Sequence, residues 1–222
     1  MENIRLNCRN DADSITLFAR ADDILVGGQD MPEFNLMGGV KNNLLKLSVG
    51  FRDTMYRTSA MVNTEALFGR DSLDRAQLTV DFGQSMFALE NDTWLIESGP
   101  IYLKHDGIEV SEFLMSNRDQ KLTVTGYYPR YDVGTLHFDL NKFSIAPLSR
   151  FVSRMGYNFN GLLDGKLLIH VNNSRKYLYS DIRISELAVN DITFENSRLR
   201  SFWDERTNRV SVTLDNESKQ RL

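Results

Sequence analysis

The sequence predicts an all-β protein of mostly antiparallel strands, with one apolar face and one short amphipathic helix. Three observations carry that expectation. Apolar residues recur at every second position along much of the chain, the spacing of one face of a strand. Turn pairs such as Asp106-Gly107 and Asn160-Gly161 punctuate these runs with residues that tolerate positive φ. A single segment, residues 143–156, switches to helical spacing instead.

The strands read in order. Leu45, Leu47, Val49 and Phe51 alternate with Lys46, Ser48 and Gly50, and Leu78, Val80 and Phe82 alternate with Thr79 and Asp81. Leu136, Phe138 and Leu140 alternate with His137 and Asp139. Leu163, Leu167, Ile169 and Val171 share one parity, opposite Asp164, Lys166 and His170. Ile182 and Ile184 alternate with Asp181 and Arg183, and Val210, Val212 and Leu214 with Ser211 and Thr213. Helix-covered parallel sheets would read as continuous apolar runs, so this pattern favours antiparallel pairing. At Asp164-Gly165 the alternation runs straight through, which places Gly165 on the apolar face of a strand, leaving room or a bulge.

A loose repeat is visible. Ile101 and Leu103 are followed across Asp106-Gly107 by Ile108 and Val110, then by Leu122 and Val124. Leu187 and Val189 are followed across Asn190-Asp191 by Ile192 and Phe194, then by Val210 and Val212. Leu78 and Val80 followed by Phe87 and Leu89 give a weaker third copy. Such units bury their apolar face only against stacked neighbours. In the helical segment Ile145, Leu148, Val152 and Met155 lie on one face beside Phe151. Ser144 can cap its start, Pro147 fits its first turn and Gly156 can end it. The chain is thus expected to be one repetitive β domain over 1–222: a first strand set over 1–142, the helix over 143–156 and a second strand set over 157–222.

Composition narrows the function classes. The 26 basic and 30 acidic residues give a net charge of −4 and are interspersed, so no basic footprint for nucleic acid or anionic lipid headgroups stands out. A single cysteine, Cys8, excludes a disulfide within the chain and a Cys-type structural zinc site. Apolar runs are too short for a spanning helix, and the N-terminus lacks the pattern of a signal peptide. The polar beginning and end lead to the expectation of an interior segment of a longer chain.

Catalytic chemistry has little to stand on. His137 and His170 fall on the polar parity of their strands and His105 sits beside a turn, so all three are expected in solvent. No nucleophile motif occurs, and no histidines share a metal-ligand spacing. Gly27-Gly28 and Gly38-Gly39 precede no helix and read as bends or bulges between strands. The acids fall on outward parity or in turns. Trp94, Trp203, Tyr127 and Tyr128 could stack on sugar rings, but cross-strand packing accounts for aromatics in strands. The expectation is a non-enzyme without catalytic residues, metal or cofactor.

The stretch Gly161-Leu-Leu-Asp-Gly-Lys-Leu-Leu-Ile169, followed by Asp181-Ile-Arg-Ile-Ser-Glu-Leu-Ala-Val-Asn-Asp-Ile-Thr-Phe194 and Val210-Ser-Val-Thr-Leu214, resembles the TamB-like (translocation and assembly module) proteins of Gram-negative bacteria, within the AsmA-like group. It follows Leu140-Asn-Lys-Phe-Ser-Ile-Ala-Pro-Leu148 and the helical segment, and in that family a G-x-L-x-G-x-L-x-I/V strand after a short helix recurs along the chain. Gly107-Ile-Glu-Val110 to Leu122-Thr-Val-Thr-Gly126 is similar to the family's strands less specifically, and residues 134–214 carry most of the resemblance. The resemblance implies an elongated, folded-over or curved sheet of β-taco-like repeats with an apolar concave face. It implies a periplasmic segment of an inner-membrane-anchored protein, linked to protein secretion and outer-membrane biogenesis through an Omp85-type barrel, and to phospholipid transport. The family's N-terminal anchor and barrel-contacting end are not in this sequence, which puts direct barrel contact in doubt.

These lines converge on a groove for phospholipid acyl chains, lined by Leu136, Phe138, Leu140, Leu163, Leu167, Ile169, Ile182, Ile184, Leu187 and Val189. As a lining residue near a groove mouth, Ile184 is expected to tolerate a carboxylate. The alternatives are β-augmentation of unfolded outer-membrane strands along open edges and a closed β-sandwich that binds glycan or protein. Self-association through terminal edge strands is expected if a longer sheet has been cut.

Overall fold

In the computed structural model the described residues are 4–11, 13–26, 29–53, 57–89, 92–146, 156–173, 175–194, 196–204 and 209–216. They are nearly all strand. The chain divides into two compact units, Met1–Asn117 and Arg118–Leu222. The boundary falls before residues 143–156. The first unit carries β1 (Ile4–Asp11), β2 (Ser14–Val26), β3 (Gln29–Lys41), β4 (Leu44–Asp53), β5 (Thr58–Arg70), β6 (Ala76–Phe82), β7 (Ser85–Leu89), β8 (Asp92–Ser98), β9 (Ile101–Lys104) and β10 (Gly107–Asn117). The second carries β11 (Gln120–Pro129), β12 (Val133–Ser144), β13 (Phe159–Asn172), β14 (Arg175–Val189), β15 (Ile192–Thr193), β16 (Ser197–Asp204) and β17 (Arg209–Asn216).

Within each unit the strands follow one another as an antiparallel meander, the pairing that short polar turns permit and alternation favours. In the first unit β1 to β5 pair in sequence order. Their registers line up apolar rows such as Leu6, Ala19, Leu36, Val49 and Val62. Beyond β5 the ladder breaks and resumes: β5 pairs with β6 along one half and β7 along the other. Asn63 and Ser85 hold this break. Ser85 Oγ accepts a hydrogen bond from Asn63 N at 2.9 Å, Asn63 Nδ2 donates to Gln84 O, and Gly83 N donates to Asn63 O at 2.8 Å. Pro100, which has no N–H, separates β8 from β9 opposite β10. Here Gly99 N still donates to Glu112 O, and Ser111 N to Pro100 O. Ala21, Ala66, Trp94 and Val110 are the buried apolar side chains of this unit among the described residues.

The second unit runs β11, β12, β13, β14, then β15 and β16 successively along β14, and β17. Two bulges interrupt it. Between Leu140 and Phe143 the β12 register shifts, with Lys142 at φ +44° and its N–H on Asp164 Oδ1 at 2.9 Å. Between Asn160 and Leu162 the β13–β14 register shifts, with Glu186 at φ +54°. Each bulge inserts one residue and so moves parity by one step. This is why Phe143 follows Leu140, and Leu187 follows Ile184, on the same face despite three-residue spacings. Ile182, Ile184 and Leu187 form the buried cluster, with Leu140, Ile145, Leu163, Leu167, Val189, Phe194 and Leu199 packed against it.

Phe143 and Ser144, the first two residues of the expected helix, belong instead to β12 and pair with Leu163 and Leu162, and most of the rest, including Leu148, Phe151, Val152 and Met155, lies outside the described residues. At its edge Ala146 N donates to Ser144 Oγ at 3.3 Å, the contact of a capping serine. The repeat units differ in topology. Leu103 pairs with Ile108 across the Asp106-Gly107 turn, and Val189 with Ile192 across Asn190-Asp191, so both are hairpins. However, β16 intervenes between Phe194 and Val210. In the third copy β6 and β7 share the edge of β5 rather than pairing with each other.

Gly165 stands in mid-strand between Leu140 and Ile182 at φ +145°. A Cβ there would meet Asp181 O at 2.2 Å and Ile182 Cα at 2.8 Å, both of them backbone. Gly165→Ala is therefore expected to lower unfolding free energy by about 2 kcal/mol or more, through φ strain and displacement of β14. Gly69→Ala, where a Cβ meets nothing within 4 Å, should stay within roughly 1 kcal/mol of the parent in the same denaturant titration.

Candidate functional site

Cross-strand register turns the apolar positions of the second unit into continuous rows. One runs Leu122, Leu140, Gly165, Ile182, Leu199, Leu214 across β11, β12, β13, β14, β16 and β17. A second runs Val124, Phe138, Leu167, Ser180, Ser201, Val212. A third runs Gly126, Leu136, Ile169, Leu178. The two serines in the second row satisfy each other, Oγ to Oγ at 2.8 Å. They therefore add little free polarity to the face.

The ten expected lining residues fall on this one side in two environments. Ile182, Ile184 and Leu187 are buried at its centre. Leu136, Phe138, Leu140, Leu163, Leu167, Ile169 and Val189 are half-buried. Toward β17 the face opens further: Val212 is 59% and Leu214 55% exposed. Burial reverses the expectation for Ile184, which is 7% exposed inside the cluster. A carboxylate there would lose water and gain no partner. Ile184→Asp should cost several kcal/mol, comparable with a domain's whole stability, and abolish a cooperative melt.

The opposite side of the same strands is charged and carries ion pairs between neighbouring strands, although Arg183 stands directly across from Arg198. Lys166 Nζ lies 3.3 Å from Asp139 Oδ1, and Arg198 forks onto Asp181 with two hydrogen bonds of 2.7 Å. Arg200 pairs with Asp215, and Lys142 Nζ reaches Asp119 at 2.8 Å. The Arg198 hydrogen bonds hold the Asp181 carboxyl below its ordinary range, and Lys142 does the same for Asp119. A pKa lowered on folding adds stability above the unfolded value near about 4, which is lost as pH falls through the folded value. These pairs are exposed, so the effect is small. Asp181→Asn is expected to melt slightly below the parent at neutral pH, with the gap closing below about pH 4 in a series of melts.

Chemistry-bearing residues do not converge. Among the described residues no group of three or more His, Cys, Asp or Glu is placed to hold a metal ion. His105 and His137 are exposed, as their positions imply. His170 differs: it is half-buried, with Nδ1 2.9 Å from Thr135 Oγ1 and its ring 5.9 Å from Tyr177. Trp94 is 2% exposed and pairs with Phe87 across the strands, and Trp203 meets the Tyr177 ring edge-on at 5.1 Å. Tyr128 lies under Lys176 Nζ, 5.4 Å from the ring centre.

Gly38-Gly39 corrects the sequence reading. The pair lies inside β3, laddered to Leu17 and Thr16 on one side and to Leu47 and Lys46 on the other, so it makes no bend between strands. Its missing side chains help open a shallow cavity of about 650 Å³ lined by Thr16, Phe18, Met37, Lys46 and Asn63 among others. Gly27-Gly28 lies outside the described residues. Alternation also overlooked a patch on the polar side of the first unit: Phe18 pairs with Met37, Met61 with Met86, and Met86 with Leu95, all five exposed. Adjacent apolar pairs such as Leu17-Phe18 and Leu36-Met37 were its signal.

No family model, curated protein or solved structure matches the chain.

Proposed function

We propose that the apolar side of the second unit binds lipid acyl chains, as a segment of a periplasmic protein that bridges inner and outer membranes and supports phospholipid transport or outer-membrane protein assembly. The observation that carries this reading is the set of mostly apolar cross-strand rows on one face, in which Leu136, Phe138, Leu140, Leu167 and Ile169 are half-buried rather than sealed. A row across six strands spans about 24 Å at the usual strand spacing, on the scale of an extended membrane acyl chain. The face offers few unpaired polar groups for a sugar, since Ser180 and Ser201 bond to each other. A closed sandwich would bury such rows against a second sheet, so half-burial favours an open face over that alternative. The resemblance of residues 134–214 to TamB-like chains supports the periplasmic setting, with the Omp85-type barrel engaged through the parent protein.

Phe138 is the position for the test, because it is half-buried between Val124 and Leu167 and outside the buried cluster. Phe138→Asp is expected to keep a cooperative melt and to weaken binding of a fluorescent fatty acid by roughly tenfold or more, about 1.4 kcal/mol. The parent should also release lipid on organic extraction, detected by mass spectrometry. A parent that binds no fatty acid, or a folded variant that binds it equally well, would reject the acyl-chain face.

A further inference from the structure

One step beyond Leu136, Ile169 and Leu178, the apolar side of the second unit carries a fourth row, Gly134, Val171 and Lys176. Among the residues that register places in the four rows, Lys176 alone is charged. Its Nζ lies over the Tyr128 ring, 5.4 Å from the centre. Tyr128 belongs to β11 and Lys176 to β14, with β12 and β13 between them, so the two side chains reach toward each other over the end of the face. Val171, which pairs with Lys176, is 1% exposed. Among the described residues Lys176 has Tyr128 as its partner and no carboxylate. On the other side of the sheet Lys142, Lys166, Arg198 and Arg200 each have one.

Resting on the acyl-chain reading of this face, we infer that its Lys176 corner holds the anionic head of the bound lipid, a carboxylate or a phosphate, with the ammonium as counter-ion. The chain runs from there past Ile169 and Leu178 into the apolar rows. A charged head cannot shed its water among aliphatic side chains, so an amphiphile on these rows keeps its head at their end. Cation–π attraction to Tyr128 holds the ammonium at that end. The charge around the corner has the matching sign. Arg130 and Asp132 stand in the β11–β12 turn and Arg175 opens β14, which with Lys176 makes three cations against one carboxylate. Asp132 Oδ1 already accepts the Val133 N–H at 2.8 Å. A lysine stem can also cover apolar surface with its ammonium simply in water. That role depends on the stem, whereas the head site depends on the charge.

Titrating the full chain with a fluorescent fatty acid and with the corresponding fatty alcohol separates the two. Lys176→Met keeps an unbranched stem and removes the charge. It is expected to weaken binding of the acid by roughly fivefold, the scale of an exposed ion pair, and to leave the alcohol's affinity and the thermal melt unchanged. Lys176→Arg should keep the parent's affinity for the acid. In the parent, rising salt should weaken the acid and spare the alcohol. Equal loss of acid and alcohol in Lys176→Met would make Lys176 a packing residue and overturn the head site. A parent that binds both, with an affinity for the acid that is indifferent to Lys176→Met, would reject the head site and leave the acyl-chain face standing. A parent that binds neither would reject both.

Discussion

Side-chain parity across paired strands is the constraint on which the second unit depends. Successive residues of a strand face opposite sides, so a slip of one position would turn a strand's whole apolar set to the other face. Interrupted sequences keep parity only if each interruption is an inserted residue matched to a bulge. At Lys142 and at Glu186 the backbone takes positive φ and absorbs one extra residue. The rows on either side consequently stay on one face. Without the bulge at Glu186, Leu187 and Val189 would lie with Asp181 and Arg183 rather than with Ile182 and Ile184.

Glycine makes the same constraint tighter. At Gly165 the facing Asp181 carbonyl leaves no room for a Cβ, and Gly126 stands in the same relation to Thr135 O at 2.1 Å. Each is a gap in an apolar row where strands approach closely. Cross-strand pairs contribute only about 0.2–1 kcal/mol each, so the face is held by many such contacts rather than by one anchor. The buried Ile182, Ile184 and Leu187 cluster is where these contacts concentrate. The half-buried residues around it leave apolar surface partly accessible.

The two faces divide the work physically. Ion pairs at the charged face are exposed and screened, so they contribute little to stability. Opposite charges face each other at Asp139 and Lys166, Lys166 and Asp181, and Asp181 and Arg200, but Arg183 faces Arg198, so charge only partly discriminates between registers. The apolar face supplies burial but no such discrimination, since one aliphatic residue packs against another almost as well as its neighbour does. Register thus draws on both faces, burial from the apolar side and partial charge matching from the polar side.

The sequence by itself determined the class of the fold and the face of most candidate residues. Period-two alternation is local information, and antiparallel pairing follows from it and from the turn residues at Asp106-Gly107, whereas Asn160-Gly161, read as a turn, lies inside β13 at the register shift against β14. It also placed Gly165 correctly on the apolar side, because the pattern continued through it. Tertiary structure decided what depends on residues far apart in the chain. Half of Gly38's surroundings come from β2 and half from β4, so a glycine pair that resembles a bend could become mid-strand. The split of β5 between two partners required Asn63 to meet Ser85, 22 residues away. Burial was likewise not local: Ile184 and Leu136 share the same alternation, yet only Ile184 lies where Ile182 and Leu187 crowd around it. Parity assigns a side chain to a face, but only the packing of neighbouring strands decides how much water reaches it.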